Sequence, residues 1–175
     1  VNATQQLAAE VPIVTKTLAN GLEVIVLPDP SLPLITAELD VRNGSFTEPP
    51  ELNGLSHLYE HMFFRTNEAL VLVQCDRGMP SPRCGDIISM RRKIGDIEYM
   101  NRFHELGIAY NGSTREEVVN YFVRTTSTFL EESFRYINDS VRYPVFDEAE
   151  FEREKLVVIG ELDQGFLYIM MNFVT

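Results

Sequence analysis

The chain has 175 residues, of which 45% are hydrophobic and 10% aromatic, a composition typical of a globular domain with a sizeable core. Its formal net charge of −11 disfavours a nucleic-acid partner, because phosphate backbones are bound by basic surfaces. No apolar run approaches the roughly 20 residues that a transmembrane helix needs, so we expect no membrane-spanning segment.

The first predicted elements are strands. Residues 13–30 (IVTKTLANGLEVIVLPDP) indicate two short strands around Asn20 and Gly21, because this dipeptide supplies the positive φ angles of a tight hairpin turn. Residues 33–46 (PLITAELDVRNGSF) contain an alternation of apolar and polar side chains that predicts a half-buried strand. Residues 47–54 (TEPPELNG) then predict a loop.

A predicted helix follows at residues 54–66 (GLSHLYEHMFFRT). Its apolar side chains have helical spacing, at Leu55, Leu58, Met62 and Phe63. His57 and His61 are four positions apart, so on a helix they lie one turn above each other and can direct ring nitrogens at a common point.

Residues 67–93 (NEALVLVQCDRGMPSPRCGDIISMRRK) break this pattern. They combine a short apolar run, a turn rich in Pro and Gly and a basic patch, which predicts an irregular insertion at about residues 69–93. The spacing of Cys75 and Cys84 permits a disulfide and is equally compatible with two free thiols, with a slight preference for the disulfide.

The next segment predicts a helix and a hairpin. Residues 94–107 (IGDIEYMNRFHELG) have helical periodicity, and Gly107 is suited to end the helix. Residues 108–127 (IAYNGSTREEVVNYFVRTTS) predict a strand, a turn and a second strand.

Two further helices complete the predicted elements. Residues 128–144 predict a helix that Pro144 stops, and residues 147–164 predict a helix that opens with Asp147 and Glu150 as a capping pair. Two groups of strands with intervening helices indicate a single α+β domain, in which helices cover one face of a largely antiparallel sheet.

The two ends predict that the sequence is a piece of a longer protein. The first residue is not Met, which suggests a processed chain and is compatible with export after removal of a signal peptide. Residues 160–175 (GELDQGFLYIMMNFVT) run apolar to the end without a cap, a charged flank or a Pro stop. A small domain that ends in a buried strand is the alternative.

The two histidines with Glu60 form a candidate metal site. A catalytic zinc usually takes three protein ligands and leaves a position for water, so a carboxylate or thiolate must come from elsewhere in the chain. Glu60 precedes His61 on nearly the same helix face, where it could reach a metal-bound water as a general base. A helix that carries two surface histidines without a metal is the alternative.

The stretch GLSHLYEHMFF, residues 54–64, resembles the inverted HxxEH zinc motif of the pitrilysin or insulinase-like metallopeptidases, family M16. Residues 17–64 also resemble the opening hairpin, third strand and loop of that family. Residues 105–123 (ELGIAYNGSTREEVVNYFV) resemble its later strand, turn and strand, and residues 151–163 (FEREKLVVIGELD) resemble its distal glutamate helix. The likeness covers most of residues 13–165 and implies the metallohydrolase fold of the mitochondrial processing peptidases.

The resemblance implies a ligand set for zinc. His57 and His61 correspond to ligands, and Glu60 to the base that activates the water. The third family ligand is the later of two glutamates seven apart, which implies Glu161, with Glu154 as a carboxylate that orients an imidazole. An ordinary charged helix face is the alternative for these two glutamates.

The resemblance also implies a substrate contact. Asn111 matches a family Asn that helps to hold the substrate backbone near the metal, although Gly112 follows where a small apolar residue is commoner. An ordinary Asn-Gly turn is the alternative.

These implications together predict a zinc-dependent endopeptidase domain whose substrate is a peptide or unfolded polypeptide, bound extended along a sheet edge. In the family a second, similar domain or subunit supplies an Arg and a Tyr that help to bind the substrate carbonyl, and no residue here can be assigned that role. One alternative is a non-catalytic scaffold or partner subunit. Another is a lyase that cleaves S-ribosylhomocysteine, but it needs a downstream Cys, and none follows Cys84.

Overall fold

The computed structural model describes residues 12–103 and 108–173. The chain divides into two compact units, Val1–Pro33 and Leu34–Thr175. The described part of the first unit holds a hairpin, and that of the second holds a three-stranded sheet and six helices.

The first unit forms the predicted antiparallel hairpin. Strand β1 (Val14–Thr17) pairs with strand β2 (Glu23–Val26). In the connection Gly21 has a φ of 87°, and the Leu22 N–H donates to Asn20 Oδ1 at 3.2 Å. The last paired residues are Thr17 and Glu23, so the connection is longer than the tight Asn-Gly turn that we predicted. Among its residues only Gly21 has a positive φ.

The second unit contains an antiparallel sheet of three strands. They are β3 (Leu34–Val41), β4 (Ala109–Thr114) and β5 (Val119–Thr126), in the spatial order β3-β5-β4. Side chains alternate across the sheet as the sequence pattern predicts. The buried face includes Ala37, Val119, Tyr121 and Val123.

Six helices in the described part of this unit complete the α+β architecture. They are α1 (Leu55–Phe63), α2 (Glu68–Asp76), α3 (Ile87–Ile94), α4 (Glu98–Phe103), α5 (Leu130–Arg142) and α6 (Glu148–Phe173). Buried side chains from α1, α2, α4 and α5 share one hydrophobic core with β3 and β5, while Thr36, Glu38 and Asp40 on the other face of β3 are exposed. The predicted fold class is confirmed.

The segment at about residues 69–93 contains two helices and is not irregular as we predicted, while its being an insertion stays a prediction. α2 begins after Asn67, whose Oδ1 accepts a hydrogen bond from the Leu70 N–H at 2.9 Å. Its side chains enter the main core, at Ala69, Val71, Leu72 and Val73. Cys75 and Cys84 form a disulfide that joins the end of α2 to the short 3-10 turn Pro82–Asp86.

Two helix boundaries also differ from the prediction. Residues 94–107 do not form one helix, because α3 ends at Ile94, Gly95 follows with a φ of 77°, and α4 begins at Glu98. Gly107, which we predicted to end this helix, lies outside the described residues.

The last helix, α6, begins with half of the predicted capping pair. Asp147 Oδ1 accepts from the N–H groups of Ala149 and Glu150 at 3.0 and 3.1 Å, but the Glu150 carboxylate contacts Thr66 instead of closing a capping box. The helix continues to Phe173, so residues 160–173 are helical and do not form a strand. None of the helices within the described ranges is long and apolar enough to cross a membrane.

Candidate metal centre

Helix α1 brings the two histidines of the motif together. It begins after Gly54, which has a φ of 92°, a conformation that glycine adopts without steric cost. The Nε2 atoms of His57 and His61 lie 3.2 Å apart. Both nitrogens therefore face one point, as the four-residue spacing predicts.

Helix α6 adds a carboxylate to the same point. Glu161 Oε2 lies 3.2 Å from His57 Nε2 and 3.6 Å from His61 Nε2. Three ligands of a tetrahedral zinc, each about 2.0–2.1 Å from the metal, lie roughly 3.3 Å from one another. The three side chains thus fit a zinc ion in both chemistry and spacing.

Glu154, seven residues before Glu161 on α6, holds the far side of one imidazole. Its Oε2 lies 3.1 Å from His61 Nδ1, and its Oε1 accepts a hydrogen bond from Arg65 Nη2 at 2.8 Å. Burial of Glu154 opposes ionisation, but the hydrogen bonds from Arg65 and His61 outweigh it and hold the pKa of this carboxyl below its usual value. A proton on His61 Nδ1 that points at this carboxylate leaves Nε2 free to bind a metal.

The Glu60 side chain lies beside the histidines and is buried, with 8% of its surface exposed. Thr114 Oγ1 on β4 donates to Glu60 Oε2 at 2.8 Å. The neighbouring Gly112 has no side chain, and this lets β4 approach the carboxylate closely. Glu60 is therefore held in a fixed orientation near the three candidate ligands.

A cavity of about 400 Å³ adjoins this cluster, lined by residues of α1, of β4 and of α6 and by Phe64 and Arg65, which follow α1. Asn111 lines the cavity, is exposed, and accepts a hydrogen bond at its Oδ1 from the Gly112 N–H at 2.9 Å. None of residues 67–94 lines it, so the helical segment α2–α3 does not cover the candidate ligands.

Sequence reasoning missed three residues around the site. Arg65 reaches Glu154, and Thr114 reaches Glu60 from a strand 54 positions away. Glu48, in the loop before α1, accepts hydrogen bonds from the N–H groups of Gly54 and Ser56. Burial opposes ionisation of Glu48, but the hydrogen bonds from Ser56 and Gly54 outweigh it and lower the pKa of the carboxyl. Of the three, only Glu48 could be suspected from the sequence, because an acidic residue shortly before a predicted helix can accept hydrogen bonds from its first N–H groups.

Comparison with known proteins identifies relatives over most of the chain. The sequence model of a family described as Insulinase (Peptidase family M16) matches residues 23–70 and 91–165, more than half of the chain. Human insulin-degrading enzyme is 28% identical over 148 residues, 85% of this chain and 12% of that protein. The Bacillus subtilis protein named Uncharacterized zinc protease YmxG is 25% identical over 146 residues, 83% of this chain and 30% of that protein.

A mitochondrial relative and a solved structure extend this comparison. A probable mitochondrial-processing peptidase subunit beta from Arabidopsis thaliana is 23% identical over 148 residues, covering 85% of this chain and 23% of that protein. The crystal structure of a protease from Helicobacter pylori superposes with a TM-score of 0.62 at 22% identity, over 86% of this chain and 30% of that chain. The fold is shared with a solved protease, and the chain spans less than a third of each of these relatives.

Proposed function

The chain belongs to the insulinase family of peptidases, family M16, and from this premise we propose that it is a zinc-dependent endopeptidase domain. The observation that carries the proposal is the cluster of His57, His61 and Glu161, whose ligand atoms all lie within 4.8 Å of one another. Relatives named as zinc proteases support the choice of metal.

Peptide hydrolysis follows from the groups around this cluster. Zinc held by the three side chains would supply a Lewis acid that lowers the pKa of water toward neutrality and polarises the scissile carbonyl. Glu60 takes a proton from the attacking water and passes it to the leaving amine. Thr114 fixes the Glu60 carboxylate, and Glu154 fixes the imidazole of His61.

The proposed substrate is a peptide or an unfolded polypeptide that adds as a strand to β4. In the described ranges of the chain β4 pairs with β5 alone and forms one edge of the sheet, to which an extended chain can be added. Asn111 on β4 lines the cavity beside the candidate ligands, and we propose that its side chain holds the substrate backbone there. This mode of binding suits a short or unfolded chain better than a folded protein, because such a chain readily presents an extended segment.

Complete activity is proposed to need a second homologous domain or subunit. The chain spans 12% of human insulin-degrading enzyme and 30% of the Bacillus zinc protease. In the family a second domain contributes an Arg and a Tyr to the substrate carbonyl. The alternative function is a non-catalytic scaffold or partner subunit, which binds a partner without hydrolysing peptides.

The first test is metal content, measured by plasma mass spectrometry on protein purified without added metal. We expect about one zinc per chain in the wild type and in Glu60→Gln, and its loss in His57→Ala and Glu161→Gln. Zinc retained in Glu161→Gln would show that another residue is the third ligand, and Glu154→Gln is then the variant to measure. A wild type without zinc contradicts the proposal.

The second test is hydrolysis of an internally quenched fluorescent peptide, by the chain alone and with the second domain supplied. Glu60→Gln should lose at least about 100-fold in rate while it keeps its zinc, because it removes the general base but no ligand. If the zinc-loaded wild type hydrolyses nothing in either case, the scaffold alternative replaces the peptidase.

A further inference from the structure

Helix α1 begins without a capping side chain of its own. Gly54 occupies the N-cap position, and the first N–H groups of any helix lack partners within the helix. The carboxylate of Glu48, six residues earlier, accepts from the Gly54 N–H at 2.7 Å and from the Ser56 N–H through its other oxygen. A carboxylate at this end also interacts favourably with the helix dipole. Glu48 therefore caps the N-terminus of α1, although it lies outside the helix.

Ser56 connects Glu48 to the HxxEH motif, because its N–H donates to Glu48 and the motif begins at the next residue. It is buried, with 4% of its surface exposed, and its hydroxyl accepts a hydrogen bond from Asn43 Nδ2 at 2.8 Å. His57 is the next residue and belongs to the same first helical turn. His61 lies one turn further along, where Glu154 holds its ring. Of the two histidines, His57 is the one whose position depends on the start of the helix.

The loop that carries Glu48 is itself fixed to the sheet. The Ser45 and Phe46 N–H groups donate to the carbonyl oxygens of Arg115 and Glu116 in the β4–β5 turn, at 3.1 and 2.8 Å. A Cβ atom on Gly44 would lie 2.3 Å from the Arg115 carbonyl oxygen, so only glycine permits this approach. The same turn follows Thr114, which holds Glu60.

We propose that Glu48 is a positioning residue that sets the first turn of α1 against the β4–β5 hairpin and so directs His57 at the metal. The inference rests on the zinc site proposed above. It assigns Glu48 no contact with metal or substrate, because its hydrogen bonds go to Gly54 and Ser56.

The test is the dissociation constant for zinc, measured by competition with a chromophoric chelator, in Glu48→Ala and Glu48→Gln. Glu48→Ala should bind zinc about tenfold more weakly, the order of effect that removal of a helix cap has. Glu48→Gln keeps one acceptor oxygen and should lose roughly threefold. Glu51→Gln is the matched control, because this exposed glutamate lies in the same loop, and it should bind zinc like the wild type.

A double-mutant cycle separates positioning from general stabilisation. His57→Ala is expected to lose its zinc on purification, so its residual affinity is measured with added zinc and a weaker chelator. In this background Glu48→Ala should weaken zinc binding no further, because the ligand through which Glu48 acts is gone. The same loss in both backgrounds, or wild-type affinity in Glu48→Ala, would overturn the inference and leave the proposed peptidase intact. If Glu48→Ala does not fold, the cycle is run with Glu48→Gln. A wild type that binds no zinc removes the proposed function and this inference with it.

Discussion

At the scale of single residues, Gly112 marks the closest approach of β4 to the proposed base. A Cβ atom there would lie 2.9 Å from Glu60 Oε1 and 3.1 Å from the Asn120 carbonyl oxygen. Because Glu60 is buried and accepts a hydrogen bond from Thr114, its carboxylate has little room to move. A small apolar residue is commoner at this position in the family, so the prediction rests on the close approach of β4 in this chain. We predict that Gly112→Ala displaces Glu60 by a few tenths of an ångström and lowers kcat roughly tenfold, with zinc content unchanged.

The measurement is kcat with a peptide substrate, together with zinc content. Gly85→Ala is the control, because a Cβ atom there has nothing within 4 Å, and Gly85 does not adopt a positive φ. Equal kcat in Gly112→Ala and Gly85→Ala would show that Glu60 tolerates a closer strand.

A second prediction for a single residue concerns Arg65, which contacts Glu154. Its guanidinium is the cationic partner of the buried Glu154 carboxylate, which in turn contacts His61 Nδ1. Without Arg65, Glu154 is left as a buried charge whose remaining partner is an imidazole, so it orients that ring less firmly. We predict that Arg65→Gln weakens zinc binding about tenfold in a chelator competition, and that Arg92→Gln, an exposed arginine on α3, leaves it unchanged.

At the scale of elements, the sequence predicted the strands and helices whose two faces differ in polarity. β3 and β5 alternate, and α1 and α5 each have one apolar face, so their periods are visible in the pattern. α2 was missed because its buried residues include three consecutive positions, Val71, Leu72 and Val73, which have no helical period. The break between α3 and α4 depends on the backbone conformation of Gly95.

In the candidate site, too, some residues could be predicted from the sequence and others could not. The pair His57 and His61 was readable because both partners lie on one helix. Glu154 and Glu161 were predicted from the family resemblance, since a charged helix offers no local reason to prefer them. Contacts from Arg65 and Thr114 depend on tertiary packing between distant segments, which spacing along the chain cannot indicate. Glu48 is only six residues from Gly54, but its contact depends on the path of the loop between them.

The disulfide gives a prediction at the scale of elements. Cys75 and Cys84 are 9 positions apart and tie α2 to the turn Pro82–Asp86. Closing a loop of about ten residues stabilises the folded state by about 2.5 kcal/mol in the chain-entropy description. We expect the double variant Cys75→Ser, Cys84→Ser to lose free energy of unfolding of this order in urea denaturation. Zinc affinity should stay at the wild-type value, because the disulfide lies outside the cavity, and a weaker affinity would contradict this separation.

At the scale of the whole molecule, the free energy of unfolding depends on pH through groups whose pKa values change on folding. Hydrogen bonds outweigh burial at Glu48 and Glu154, so both carboxyls have pKa values below the ordinary value of 4.5. Their contribution to stability is present above pH 4.5 and is lost as the pH falls through the lowered values. We therefore predict that the stability of the metal-free protein declines as the pH falls below about 4.5.

The alkaline limit of this pH profile follows from buried tyrosines. Burial, and then the hydrogen bond to Asp139, raises the pKa of Tyr99 above the ordinary value of 10.0, and burial raises the pKa values of Tyr121 and Tyr136 in the same direction. Tyrosines of the unfolded chain ionise above pH 10, whereas these remain protonated in the folded state. The contribution of these tyrosines to stability is therefore fully present below pH 10 and is lost as the pH rises further.

Tyr99→Phe isolates one part of this alkaline slope. Each tyrosine that stays protonated in the folded protein lowers the free energy of unfolding by up to about 1.4 kcal/mol per pH unit above pH 10. The variant should be less stable at neutral pH, because the buried Asp139 loses a donor, but its stability should fall less steeply with pH. Urea denaturation of the metal-free wild type and variant between pH 8 and pH 12 gives both slopes. Equal slopes of unfolding free energy against pH would mean that Tyr99 ionises in the folded protein as it does in the unfolded chain. The hydrogen bond to Asp139 would then not raise the pKa of the Tyr99 hydroxyl.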